Sequence, residues 1–379
     1  MVVDEITIKH GQEVDKIAPW LQRHIKAMKM REVVEKLKKI YVPSAEEIVK
    51  YVGERYRRLR PRRRGFAGRR EFEVKRLELV YNIVRDKLQK VLEMPHLESM
   101  DEFHKRLVTE FVGAEAYEEA LRRVRLAIKL ARRFWDEYRV LIVTSQSIEE
   151  AKKYRKEGCG RILSLVRRLN KHLKLLRKVR EELLRTHVVS EGLPVVVVAG
   201  IPSAGKSTLI SRLSTAKPEI APYPFTTKNI IVGKVTFKNH IFYMVDTPGI
   251  LERPLHQHNP IERKALVALT SLPDVILFLY DVSAERVQDI VYQTKLLEDI
   301  IHNVALKNGV KVIVAVNKID VADREALQKT YQCLNEVKKK YGDIIIGPYS
   351  ISALKGVGVE QLLNELIKLL PSKELTQSL

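Results

Sequence analysis

The chain changes its rhythm of apolar positions half-way along. In the first half, apolar residues recur in steps of three and four. Ile162, Val166, Leu169, Leu173, Leu176, Val179 and Leu183 make one stripe; Phe72, Leu77, Val80, Ile83, Val84, Leu88 and Val91 make a second; residues 116–138 carry a third. Such spacing puts each stripe on one face of a helix. Long amphipathic helices bury their stripes on one another, which predicts an all-α, elongated helical bundle over residues 1–190. Gly158 and Gly160 are expected to weaken or kink the last helix near its start. In the second half, short apolar runs at 195–199, 230–237, 241–245, 275–280, 310–316 and 344–351 read as strands. Helical segments are expected at about 206–213, 260–271, 284–303, 322–340 and 358–370. The alternation predicts an α/β domain over 191–379, with an open, mostly parallel six-stranded sheet and ligands at the carboxyl ends of its strands. The boundary falls at SEGLP, Ser190 to Pro194, where glycine and proline end the long helix.

Charge separates the same two halves. Residues 1–190 hold 46 Lys and Arg against 28 Asp and Glu, while 191–379 hold 22 against 19, so nearly all of the net +21 lies in the helical half. An excess of that size attracts polyanions and favours nucleic acid or an anionic membrane as a partner. It peaks in RRLRPRRRGFAGRR, where Arg57, Arg58, Arg60, Arg62, Arg63, Arg64, Arg69 and Arg70 surround a proline and two glycines. That composition predicts a flexible, RNA-contacting loop, because guanidinium groups fork onto phosphates and stack on bases. Arg167, Arg168, Lys171 and Lys174, on the outer face of the last helical stripe, are further candidates. No apolar run reaches membrane-spanning length, and the N-terminus lacks the basic-then-apolar pattern of a secretory signal. Cys159 and Cys333 stand in unrelated contexts. A reducing, cytoplasmic setting is expected.

Five short motifs in the second half carry chemistry, each at the end of an apolar run. After VVVV comes GIPSAGKST: Gly200, Ile201, Pro202, Ser203, Ala204, Gly205, Lys206, Ser207 and Thr208. A glycine-bounded loop with Lys-Ser at its end turns backbone N–H groups onto phosphates, brings the lysine to the terminal phosphates and sets the serine hydroxyl on magnesium. The proline-rich stretch Lys217 to Lys228 is expected to be a surface loop whose Phe225, Thr226 and Thr227 offer a second hydroxyl to that magnesium. In DTPG, Asp246 reaches the magnesium through its water shell and the Gly249 N–H approaches a γ-phosphate. In NKID, the Asp320 carboxylate suits the paired donors of guanine, Asn317 the imidazole edge of the base, and the stem of Lys318 the ring face. SALKG adds Ser352, Ala353 and Leu354, with a backbone N–H near Ala353 for the guanine carbonyl.

With these residues in place, the second half resembles a translation-factor-type GTPase of the Obg-like branch, through YPFTT at Tyr223 to Thr227. DTPGILERPLHQHNPIERKALVAL behind a basic helical domain is similar to the nucleolar GTP-binding protein one family, in an archaeal form. The likeness spans the whole chain, strongly over 195–356. It implies GTP and GDP as ligands with magnesium, and assigns Lys206, Thr227 and Gly249 to hydrolysis. It implies a role in large ribosomal subunit assembly, with ribosomal RNA or its precursors and ribosomal proteins as partners. Nothing calls for a membrane or a dimer, so a monomer is expected. Roles seated in the C-terminal extensions of eukaryotic members are not expected. Ser203 replaces an asparagine associated with potassium-stimulated hydrolysis, which argues against a potassium requirement. Ile250 stands where Ras-like switches carry a water-orienting glutamine, so intrinsic turnover should be slow. His256 and His258, in the same stretch, are expected to be solvent-exposed. Two other readings remain: a targeting GTPase of the signal-recognition kind, against which NKID argues, and an RNA-binding scaffold with a slow regulatory GTP site.

Overall fold

A computed structural model of the chain describes residues 19–61, 65–186, 193–249, 251–254 and 257–370, with residues 19–27 by backbone alone. The first half is built from α1 (Pro19–Lys39), α2 (Ala45–Arg58), α3 (Gly65–Val91), α4 (Glu102–Phe111), α5 (Ala114–Thr144), α6 (Ile148–Arg168) and α7 (Asn170–Leu184). All seven residues of the last predicted stripe are buried, as are Leu77, Val80, Val84, Leu88 and Val91 of α3. A capping box starts α2: the Glu47 N–H donates to Ser44 Oγ at 3.1 Å, and the Ser44 N–H to Glu47 Oε2 at 2.9 Å. Across α3 and α6, Arg155 Nε donates to the buried Glu73 at 2.7 Å, so the interior charge is paired.

Three local expectations are overturned. The last helix breaks at Leu169, whose ψ is −7°, and runs through both glycines without interruption. Gly158 instead permits close packing, because a Cβ there would meet Tyr138 Cβ and Cγ of α5 at 2.8 Å. Gly160 faces open space. Gly158→Ala should therefore destabilise the chain by about 1–3 kcal/mol through overpacking, while Gly160→Ala should stabilise it by about 0.5–1 kcal/mol through helix propensity. Denaturant melts of the two variants check the opposite signs. Second, among the described residues of the arginine-rich segment, Arg57 and Arg58 close α2, while Gly65, Gly68, Arg69 and Arg70 open α3, so that only Leu59, Arg60 and Pro61 lie outside a helix. Two glycines cost little where a 27-residue helix buries a continuous stripe. Third, the proline-rich stretch after the first loop contains a strand.

That strand makes the sheet seven-stranded among the described residues, one more than predicted. β1 (Val195–Ala199), β2 (Glu219–Pro222), β3 (Asn229–Phe237), β4 (His240–Asp246), β5 (Val275–Asp281), β6 (Lys311–Asn317) and β7 (Ile345–Ser350) lie in the order β2-β3-β4-β1-β5-β6-β7. β2 runs antiparallel to β3 at the edge, the one place where Pro222 removes no ladder bond needed by a neighbour. β4, β1, β5, β6 and β7 are mutually parallel. β1 and β5 are buried along their whole length, which is why they read as unbroken apolar runs. Helices α8 (Lys206–Leu213), α9 (Pro260–Leu269), α10 (Ile290–Ile300) and α11 (Arg324–Tyr341) lie between strands, and α12 (Val359–Leu369) follows β7.

The chain divides into two compact units. One comprises Val33–Met100 and Phe111–Leu184; the other comprises Asp101–Glu110 and Arg185–Leu379 with the described residues up to Glu32. Helix α4 thus belongs to the unit that holds the sheet. Asp101 Oδ1 accepts the N–H groups of Phe103 and His104 at its N-terminus, and His104 Nε2 lies 2.7 Å from Thr186 Oγ1. Arg106 Nη1 donates to Thr270 Oγ1 at 3.0 Å. Among the described residues no helix is long and apolar enough to cross a membrane.

Candidate nucleotide-binding site

The five motifs lie at the carboxyl ends of β1, β4, β6 and β7 and in the turn between β2 and β3. The first loop follows β1 and becomes α8 at Lys206. Its backbone needs glycine twice. A Cβ on Gly200, at φ +140°, would lie 2.5 Å from the Leu279 carbonyl oxygen, and one on Gly205, at φ +92°, would strike Asn317 Nδ2. Ser203 also adopts a positive φ, +63°. Ile201 and Ala204 are buried, while Pro202, Ser203 and Thr208 are exposed. Lys206 is only 5% exposed; its ammonium donates to the carbonyls of Gly200 at 3.0 Å and Ile201 at 2.9 Å, and to Glu252 Oε1 at 2.8 Å.

Beside it, Ser207 Oγ donates to Asp246 Oδ2 at 2.7 Å. Asp246 Oδ1 is buried without a hydrogen-bond partner, and so is Thr247 Oγ1. Burial pushes the Asp246 carboxyl above its ordinary range, opposed by the Lys206 charge and the Ser207 hydroxyl. A buried carboxylate oxygen that lacks a donor, next to a serine hydroxyl, fits a hydrated divalent cation. In the turn after β2, Tyr223 N–H donates to the Lys228 carbonyl at 2.8 Å, Phe225 takes φ +60°, and Thr226 Oγ1 donates to the Tyr223 carbonyl at 2.9 Å. Thr226 thus spends its hydroxyl within the turn. Thr227 is exposed.

The base-side motifs interlock. Asn317 Nδ2 donates to the Ala204 carbonyl at 2.7 Å, and Asn317 Oδ1 accepts the Ala353 N–H at 2.9 Å, so one side chain joins three motifs. Lys318, at φ +65°, donates to Asp281 Oδ2 at 2.6 Å. A hydrogen bond from buried Ser352 holds the Asp320 carboxyl below its ordinary range. Leu354 is exposed, and Arg212 of α8 donates to the Ala353 carbonyl at 2.6 Å and to that of Leu354.

Four of these contributors were not singled out in the sequence: Arg212, Asp281, Glu252 and Lys228. Asp281 carried a legible signal, a carboxylate at the end of the apolar run VILFLY. So did Glu252, the one acidic residue between Asp246 and Glu262. Arg212 carried none. His258 departs from expectation: it is 3% exposed, its Nε2 lies 3.0 Å from the Arg253 carbonyl and its Nδ1 3.5 Å from Glu262. Glu262 gathers Arg253 at 2.7 Å and Lys228 at 3.5 Å as well, and this network draws the histidine inward. His256 and Ile250 lie outside the described residues, as do Arg62, Arg63 and Arg64. Arg57, Arg58, Arg60, Arg69, Arg167, Arg168, Lys171 and Lys174 are exposed; Arg70 lies half-buried over the Phe66 ring at 5.2 Å.

A parallel sheet with a lysine-tipped glycine loop, a DTPG turn and an NKID motif at the same end defines a P-loop GTPase. Comparison with known proteins agrees. Residues 195–318 match the family model described as 50S ribosome-binding GTPase, and residues 24–189 the NOG1 N-terminal helical domain. The Methanocaldococcus jannaschii protein MJ1408 is 35% identical over 259 residues, 68% of this chain and 71% of that protein. Nucleolar GTP-binding protein 1 of Caenorhabditis elegans is 30% identical over 310 residues, 80% of this chain and 45% of that protein; its Drosophila melanogaster counterpart is 28% identical over 82% and 47%. The chain belongs to the nucleolar GTP-binding protein 1 family. It spans about half the length of the eukaryotic relatives it matches.

Proposed function

We propose that this GTPase is a nucleotide-driven switch in large ribosomal subunit assembly, and that its basic helical half docks on ribosomal RNA. The observation that carries the nucleotide part is the single Asn317 side chain that ties the phosphate loop, through Ala204, to the SALKG loop, through Ala353. Base site and phosphate site are thereby held in fixed register. Lys206 would reach the β- and γ-phosphates, with the N–H groups of the 200–208 loop cradling the remaining oxygens. Gly249 N–H would take a γ-oxygen. Asp320 would accept the two guanine donors, and the Ala353 region would meet the guanine carbonyl. Ser207 and Thr227 would ligate magnesium, with Asp246 behind its water shell; the ion would neutralise charge between the phosphates. For Thr227 this requires the turn after β2 to move inward when the third phosphate is present, an ordering step of the kind that switch loops undergo. Ile250 brings no group that can orient water, so intrinsic turnover is slow and awaits a partner.

The description of the matched 50S ribosome-binding GTPase family and the charge asymmetry support the ribosomal part. Arg57, Arg58, Arg60, Arg69, Arg167, Arg168, Lys171 and Lys174 offer exposed cations to phosphates, without reading sequence. Filter binding to large-subunit RNA tests this. If roughly six phosphates are neutralised, the affinity should fall by about a thousandfold between 50 and 200 mM salt. Replacing Arg167, Arg168, Lys171 and Lys174 by glutamine should flatten that slope. A slope insensitive to these changes would remove the helical face from the interface.

A further inference from the structure

We infer that Glu252 stands in for the third phosphate and sets the discrimination between GTP and GDP. The inference rests on the phosphate-site reading given above. The two carboxylate oxygens of Glu252 satisfy two different groups: Oε1 accepts from Lys206 Nζ at 2.8 Å and Oε2 accepts the Gly249 N–H at 2.8 Å. Those are the two donors that the phosphate-site reading gives to a γ-phosphate. The side chain is 16% exposed, so the contact lies inside the site. The preceding residue is held there too: the Leu251 carbonyl accepts the Gly200 N–H at 3.2 Å, and the Leu251 side chain is buried. Segment and loop therefore touch at two points.

The donor count explains why this matters. An ammonium has three hydrogens, and those of Lys206 go to the Gly200 carbonyl, the Ile201 carbonyl and Glu252. A backbone N–H has one hydrogen, and that of Gly249 goes to Glu252. A buried lysine needs a counter-charge, and here the protein supplies its own. GDP competes with Glu252 for Lys206 alone. GTP competes for Lys206 and for Gly249, and its γ-oxygens repel the carboxylate they must displace. Glu252 thus acts against the triphosphate more than against the diphosphate. Its departure would also remove one of the two ties between the 251–252 segment and the phosphate loop, which couples the third phosphate to that segment.

Equilibrium titration of the full chain with fluorescent GDP and with a fluorescent non-hydrolysable GTP analogue tests the assignment. Glu252→Ala should raise the affinity for the analogue relative to GDP by about tenfold, the equivalent of one charge-assisted hydrogen bond. Glu252→Gln should shift the ratio in the same direction by less, since its amide oxygen still accepts the Gly249 N–H while the ion pair is gone. GDP binding by each variant reports that the site is folded. An unchanged ratio, or weaker binding of the analogue to Glu252→Ala, would overturn the inference. Failure of the wild-type chain to bind either nucleotide would instead refute the phosphate-site reading beneath it.

Discussion

Lys206→Ala should weaken binding of both GTP and GDP by about a hundredfold, because it removes charge-assisted hydrogen bonds to phosphate oxygens worth about 1.5–3 kcal/mol. The ammonium is positioned before any ligand arrives. It is almost fully buried, and the carbonyls of Gly200 and Ile201 aim it into the loop. Little side-chain entropy remains to be lost on binding, so the net gain is what the phosphates offer beyond the Glu252 carboxylate they replace. Isothermal titration against each nucleotide measures the loss. A variant that kept wild-type affinity would separate the glycine loop from phosphate binding altogether.

Asp320→Asn should cost GTP affinity about a hundredfold or more, because an amide nitrogen then faces a guanine donor and leaves buried polar groups unpaired. The same change should create a preference for xanthosine triphosphate, whose 2-carbonyl accepts from the new amide while N1–H still donates to its oxygen. Wild-type Asp320 is held ionised by its Ser352 hydrogen bond, with Lys355 3.6 Å away, so the carboxylate form that guanine needs is already present. Competition assays with the two triphosphates read the inversion. Loss of GTP binding without gain of the xanthine nucleotide would mean that Asp320 supports the loop and does not touch the base.

How far the sequence shows all this depends on whether a signal is local. The strands are legible because β1 and β5 are buried on both faces and leave no polar interruption. The five motifs are legible because each needs fixed residue types at fixed spacing. β2 is hidden by Pro218 and Pro222, which exclude a central strand but not an edge strand. Gly158 looks like a helix breaker because its use, the close approach of Tyr138, comes from another helix. His258 looks exposed because its surroundings include Glu262, whose role as a hub depends on how α9 begins. Glu262 shows the balance at work: burial acts to raise its carboxyl, but the Asn259 N–H, Arg253, Lys228 and His258 together hold it below the ordinary range. Glu252 is the largest omission. Its meeting with Lys206 joins residues 46 positions apart, and a lone acidic residue after DTPG does not by itself show which cation it meets.

The switch itself is tested most directly by co-sedimentation of the purified chain with large ribosomal subunits, in GDP and in a non-hydrolysable GTP analogue at matched salt. The account predicts that the bound fraction differs several-fold between the two nucleotides and that Lys206→Ala abolishes the difference. Equal retention with either nucleotide, at every salt concentration, would contradict it.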